Sequence, residues 1–225
     1  MRQEENNKGL SAKLWGIAAF AMAMAYVESA AVIYLRRLVD TSGFRFNLST
    51  HDPTITAVEI GRELATLIML FTVGWLTGKR FQSRFGFFIF TFALWDIFYY
   101  IWLKVCVNWP ASLIDMDLLF LVPLPWWGPV LSPVLIAILM AIVGARLVVL
   151  EDREILIKLK FVEWSTAGLG VLIMLYTFMA DALALLSAGQ QPLPEIEPST
   201  FNWPVFLAGF ALVAWGSWHA IKPKR

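Results

Sequence analysis

Residues 85–107 read FGFFIFTFALWDIFYYIWLKVCV, and in these 23 positions the only charges are Asp96 and Lys104. At 1.5 Å of rise per residue such a stretch makes a helix of about 34 Å, enough to cross a hydrocarbon core of about 30 Å. A carboxylate at mid-membrane costs about 2.5–3.5 kcal/mol even on the lenient insertion scale. The stretch therefore reads as a membrane helix whose Asp96 is turned toward protein.

Five further segments have a comparable character. The expected spans are 14–35, 55–76, 85–107, 130–150, 162–188 and 204–221, within one domain covering 14–221. The fold class is thus all-α, a polytopic bundle of six transmembrane helices, with tails at 1–13 and 222–225. The second span carries three charges and the last is short. Pro53 and Pro204 nevertheless stand where a helix begins, because proline fits the first turn. The hydrophilic opening is followed by an apolar run too long for a signal peptide's core, without a small-residue cleavage site, so the first helix is expected to be retained.

Composition agrees. The chain of 225 residues is 59% hydrophobic and 16% charged, against about 45–50% and 25% in soluble domains. A net charge of +1 argues against a nucleic-acid footprint. The expected partners are the lipid bilayer, a small solute, ion or lipid, and other membrane proteins.

Orientation follows from the basic residues. Arg2, Lys8, Lys13, Lys79, Arg80, Arg84, Arg146, Arg153, Lys158, Lys160, Lys222, Lys224 and Arg225 fall on one side, and Arg36, Arg37 and Arg45 on the other. This places both termini in the cytoplasm, and a bacterial inner membrane is the expected location. The tryptophans form two matching belts, with Trp95 alone lying deep.

Two connections are more than linkers. Residues 118–127, LLFLVPLPWW, are too short to span and are broken by Pro123 and Pro125; an interfacial or re-entrant segment packed on protein is expected. Residues 151–162, EDREILIKLKFV, mix charge with apolar side chains and read as an anchor along the cytoplasmic interface. LIMLFT at 67–72 resembles LIMLYT at 172–177, but the match does not extend into neighbouring spans and is read as chance.

The chemistry lies in the charges within the spans. Glu59, Arg62, Glu63 and Thr66 stand at i, i+3, i+4 and i+7 and form one polar stripe. Asp96, Tyr100 and Lys104 are read as a second, and Glu28 lies near a face of small residues. Glu28, Glu59, Glu63, Asp96 and Asp181 outnumber Arg62 and Lys104 by three. Carboxylates left unpaired in a low dielectric take up protons or cations, so a proton- or cation-binding site is expected toward the outer face. The plainer account is that Arg62 is clamped by Glu59, Glu63 or a neighbouring helix to fix packing, and that Asp96 hydrogen-bonds Tyr100. Arg36 and Arg37, at the outer end of the first helix, could lower the excess to one by reaching inward; they are otherwise weak candidates for contact with an anion, a solvated loop being the alternative.

No cofactor is evident. Two histidines, His51 and His219, lie far apart in this topology and argue against haem, and the single cysteine, Cys106, excludes an intramolecular disulfide. Asp115 and Asp117 could hold a divalent cation, but two carboxylates make no specific motif. Asn47 begins a glycosylation sequon without meaning in a bacterial cell. The usual nucleophile, zinc and nucleotide motifs are missing.

Three functional classes fit. A small proton- or cation-linked transporter or permeation protein accounts for the excess carboxylates. A membrane-embedded enzyme acting on a lipid or lipid-linked substrate could use Glu63 and Asp96 as acid and base. A non-catalytic subunit of a membrane complex would suit the small size and abundant aromatics.

Overall fold

The computed structural model describes residues 2–39, 53–158, 160–189 and 200–222. The elements, in chain order, are α1 (Arg2–Val39), α2 (Pro53–Thr77), α3 (Phe81–Val107), β1 (Met116–Phe120), β2 (Trp126–Pro129), α4 (Leu131–Asp152), α5 (Phe161–Ser187) and α6 (Trp203–Ile221). The stretch expected as an N-terminal tail continues α1 without a break. Arg45, the sequon at Asn47, His51 and the last three residues lie outside the described residues.

Five of these helices, all but α2, are long and apolar enough to cross a membrane. Such a set is compatible with an integral membrane protein. The exception has a physical reason. On α2, Glu59, Glu63, Thr66 and Leu70 are buried, whereas Val58, Leu64, Ile68 and Leu76 are 56–78% exposed. A helix packed on a water-soluble core would show the reverse arrangement, apolar side inward. The polar stripe lowers the mean hydropathy of α2 while its outer face stays apolar.

α3 is the central helix and packs against α1, α2 and α4; α5 and α6 form a pair that joins the rest through contacts of α6 with α4 and of α5 with β2. Aromatic and small residues set these seams. Trp102 donates its indole N–H to the Met22 carbonyl at 3.0 Å and meets Tyr26 edge-on at 5.5 Å, tying α1 to α3. Gly86 and Gly144 face each other across α3 and α4, and a Cβ at Gly144 would lie 2.6 Å from the Gly86 carbonyl oxygen. Gly170 and Gly209 repeat the arrangement across α5 and α6, with a Cβ at Gly170 at 2.5 Å from the Gly209 oxygen. Close backbone approach of this kind is how membrane helices gain packing energy without a hydrophobic driving force between them. Gly144→Val is therefore expected to destabilise the protein by about 1–3 kcal/mol, the usual cost of overpacking. Thermal unfolding in detergent measures it, and an unchanged midpoint would contradict the seam.

Residues 118–127 fall in a two-stranded antiparallel ribbon and its turn, not in a helix. Met116 pairs with Pro129, Asp117 with Gly128 and Leu118 with Trp127, with an irregularity before Phe120 meets Trp126. Strand pairing satisfies backbone groups that the prolines keep out of a helix. The ribbon rests on α5, where Trp126 stacks on Phe178 at 6.3 Å.

The 151–162 segment also does more than join two helices. The Glu151 carboxylate accepts the Ser83 N–H at 2.8 Å, the Arg80 N–H at 3.2 Å and the Ser83 hydroxyl, so the end of α4 caps the start of α3. Gln82 extends the tie, donating to the Leu147 and Ile155 carbonyls and accepting the Ile157 N–H at 2.8 Å. A carboxylate at a helix N-terminus satisfies orphan donors and complements the helix dipole. Glu151→Ala is expected to cost about 1 kcal/mol, as for other lost N-caps, and to raise hydrogen exchange in the first turn of α3. Unchanged exchange there would argue against the cap.

Candidate functional site

A cavity of about 300 Å³ lies where α1, α2, α3, the ribbon, α4 and α5 converge. One side of its wall is polar. α1 contributes Glu28, α2 contributes Glu59, Arg62, Glu63 and Thr66, α3 contributes Asp96, Tyr99 and Tyr100, and β1 contributes Asp117. The remainder is aromatic and aliphatic, including Phe92, Trp95, Phe120, Trp126, Met174 and Phe178.

Helical periodicity accounts for the first part of this set. Successive residues turn by about 100°, so Glu59, Arg62, Glu63 and Thr66 share one face of α2, as the sequence implied. Asp96, Tyr99 and Tyr100 share a face of α3 in the same way. Lys104 does not: eight residues leave it about 80° around the helix from Asp96. It is exposed, and its ammonium donates to the Pro110 carbonyl at 2.8 Å, outside the cavity. Asp181 is likewise exposed on α5 and does not line the cavity.

Arg62 is held between two helices. Its Nε and Nη2 donate to Glu59 Oε2 at 2.9 and 2.7 Å, and its Nη1 forms an ion pair with Glu28 of α1. Thr66 donates its hydroxyl to Glu28 Oε2 at 3.2 Å. This clamp joins α1 and α2, which otherwise touch little, and matches the packing role weighed for Arg62. Glu63 instead turns to the ribbon, and its two oxygens accept the Leu121 N–H at 3.1 Å each.

Asp117 is the residue that sequence reasoning placed elsewhere. With Asp115 it was read as a possible cation site, but the two carboxylates have separate duties. Asp115 caps its own turn, accepting the N–H groups of Ala111 and Ser112 at 2.8 and 3.2 Å. Asp117, only 2% exposed, accepts Arg36 Nη2 at 2.9 Å and the Tyr100 hydroxyl at 3.1 Å. Burial pushes the Asp117 carboxyl up, while the Arg36 guanidinium and the Tyr100 hydroxyl hold it down; burial prevails. The one acid in β1 was a signal, because an acid within an apolar strand buried on protein needs a buried partner.

Two sequence expectations are corrected here. Arg36 is neither an outer contact for an anion nor part of a solvated loop: it is 4% exposed, paired with Asp117, and stacked 4.6 Å above the centre of the Trp109 ring. Arg37, its neighbour, is exposed. The hydrogen bond considered between Asp96 and Tyr100 is absent, since the Tyr100 hydroxyl is used by Asp117.

Asp96 is consequently the unusual member. It is half-buried at the cavity wall, and among the described residues it makes no hydrogen bond or ion pair. The indole N–H groups of Trp95 and Trp126, also on the wall, are buried without hydrogen-bond partners among the described residues. Each such donor costs about 1–3 kcal/mol unless a bound molecule or water meets it.

The charge balance can now be taken from contacts. Glu28, Glu59, Glu63, Asp96 and Asp117 line the cavity, and the guanidinium groups set among them are Arg62 and Arg36. Fully ionised, the cluster carries three negative charges in excess, the value expected from the sequence but with Asp117 and Arg36 in place of Asp181 and Lys104. Among the described residues no group of three or more His, Cys, Asp or Glu side chains is arranged to hold a metal ion.

No protein-family model matches this chain, and comparison with curated proteins and with solved structures also gives no match.

Proposed function

We propose that the chain is an integral membrane protein with six spans and cytoplasmic termini, and that it acts as a small proton- or cation-linked transporter with the cavity as its site. The observation that carries this reading is the excess of carboxylates over guanidinium groups around a space large enough for a small solute. Buried negative charge of this size is not left bare; protons or a cationic solute neutralise it, and their exchange is the elementary step of coupled transport. The apolar outer face of α2 supports its place as the sixth span, and the basic-residue asymmetry supports the orientation.

Purified protein in liposomes loaded with a pH-sensitive dye tests the reading. An imposed cation or solute gradient is expected to drive proton movement above that of empty liposomes. Rates equal to empty liposomes across a panel of inorganic and organic cations would remove it.

One observation favours a second reading. The unpartnered indole donors of Trp95 and Trp126 suit a carbonyl or ester oxygen, as a lipid or lipid-linked substrate would bring. On that reading Glu63 and Asp96 are the acid and base of a membrane-embedded enzyme. Turnover of a lipid substrate, lost in Asp96→Asn, would favour it over transport.

A further inference from the structure

The wall and the charge of the cavity together narrow its occupant, on the transport reading given above. A volume of about 300 Å³ falls at the lower end of small-molecule sites. An anionic ligand would meet no open guanidinium, because Arg36 is engaged by Asp117 and Arg62 by Glu28 and Glu59. It would also face the carboxylates of Glu63 and Asp96. A small inorganic cation needs several converging oxygens, and the described residues show no such cluster. Most of the wall is instead ring and hydrocarbon.

An organic ammonium ion satisfies both halves of this environment. It sheds water more readily than a compact metal ion, gains from aromatic rings such as those of Phe92, Trp95 and Tyr99, and is drawn to Asp96, a carboxylate that has no other partner among the described residues. Access fits as well. α2 and α5 both line the cavity, yet among the described residues they share no packed interface with each other. The side of the bundle is therefore where an apolar solute can enter.

We propose that the cavity binds a lipophilic organic ammonium ion, with the cationic nitrogen beside Asp96 and Glu63 among the aromatic rings and the apolar part along Ile136, Met140, Val171 and Met174. The ammonium could belong to a free solute or to a choline-type lipid headgroup, and both share this chemistry.

The test uses the full chain in nanodiscs of phosphatidylglycerol, with benzyltrimethylammonium as the probe. Its neutral counterpart is 2,2-dimethylpropylbenzene, which has the same shape with carbon in place of nitrogen. Tryptophan fluorescence follows binding. The expected result is saturable binding of the cation at least about tenfold tighter than of the neutral compound, as one desolvated charge contact gives. Asp96→Asn should remove that preference, and Phe178→Leu, which keeps the acids, should weaken both compounds alike. An unfolding scan of each variant shows that it is folded. Phosphatidylcholine in the disc raises the apparent Kd if the natural ammonium is a lipid headgroup and leaves it unchanged if it is a free solute.

Equal affinity for the neutral compound, a preference that survives Asp96→Asn, or no binding of the cation would overturn the proposal. Proton flux without cation binding would remove the ligand class and leave transport standing. Cation binding without flux would do the reverse.

Discussion

Arg36→Met is expected to lower the unfolding free energy by about 3–5 kcal/mol, the cost of leaving a buried charge without its partner. The side chains of Arg36 and Asp117 are 3% and 2% exposed, so water cannot replace the lost guanidinium. The remaining course is for Asp117 to take up a proton. Moving a carboxyl with an ordinary pKa of about 4 to its neutral form at pH 7 costs about 4 kcal/mol, which agrees with the first figure. This fixes the sign of the pH dependence. In the variant the folded protein binds a proton that the unfolded chain, near its ordinary pKa, does not, so stability falls as pH rises above about 4. The deficit at pH 5 should be smaller than at pH 7 by up to about 2.7 kcal/mol, which is about 1.36 kcal/mol for each pH unit before the wild type's own slope is subtracted. In the wild-type protein Arg36 opposes the upward shift, and the slope is shallower. Arg36→Met combined with Asp117→Asn should recover most of the loss, because no charge is stranded. Denaturant titrations at both pH values measure all of this. A single variant as stable as wild type at pH 7 would show that the pair is dispensable.

Asp96→Asn and Glu63→Gln are expected to reduce proton flux in liposomes to the level of empty vesicles. An amide keeps the shape and much of the hydrogen-bonding capacity of the acid but cannot carry a proton or balance a cation. The two substitutions should differ in their effect on stability. Asp96 makes no hydrogen bond or ion pair among the described residues, so its replacement removes an unpaired charge and should leave the unfolding midpoint unchanged or raised. Glu63 accepts the Leu121 N–H with both oxygens, and a neutral acceptor there is weaker, so Glu63→Gln should lower the midpoint slightly. Lys104→Met is the control, since the Lys104 ammonium sits on the Pro110 carbonyl outside the cavity and flux should persist. Loss of flux in Lys104→Met, or its survival in both acid variants, would place the pathway elsewhere.

Much of this site could be read along a single helix. The α2 stripe follows from a spacing of three and four residues, which fixes a common face whatever the helix packs against. Asp96 and Tyr100 are one turn apart and stay together for the same reason. The reading failed where it extended the pattern by eight residues to Lys104, because the mismatch between 3.6 residues per turn and whole turns accumulates. It also failed for Asp117, whereas Asp181, read as paired or exposed near an interface ahead of any functional role, is exposed. Nothing local tells whether an acid near the end of an apolar segment faces solvent or a distant arginine, and the partner of Asp117 lies 81 residues earlier in the chain.

The sequence by itself determined the apolar helices, the polar stripe of α2, and an excess of three carboxylates that must be neutralised. These are properties of composition and of helical periodicity, which act within a few turns. Tertiary structure decided which charges meet: that α1 supplies Glu28 to Arg62 of α2, that β1 brings Asp117 to Arg36, and that Asp96, at the wall of a cavity, is left without a partner among the described residues. The reason is physical. A low-dielectric interior penalises every buried charge that lacks a counterpart, but which counterpart comes within 3 Å depends on how helices and a ribbon far apart in the chain pack together.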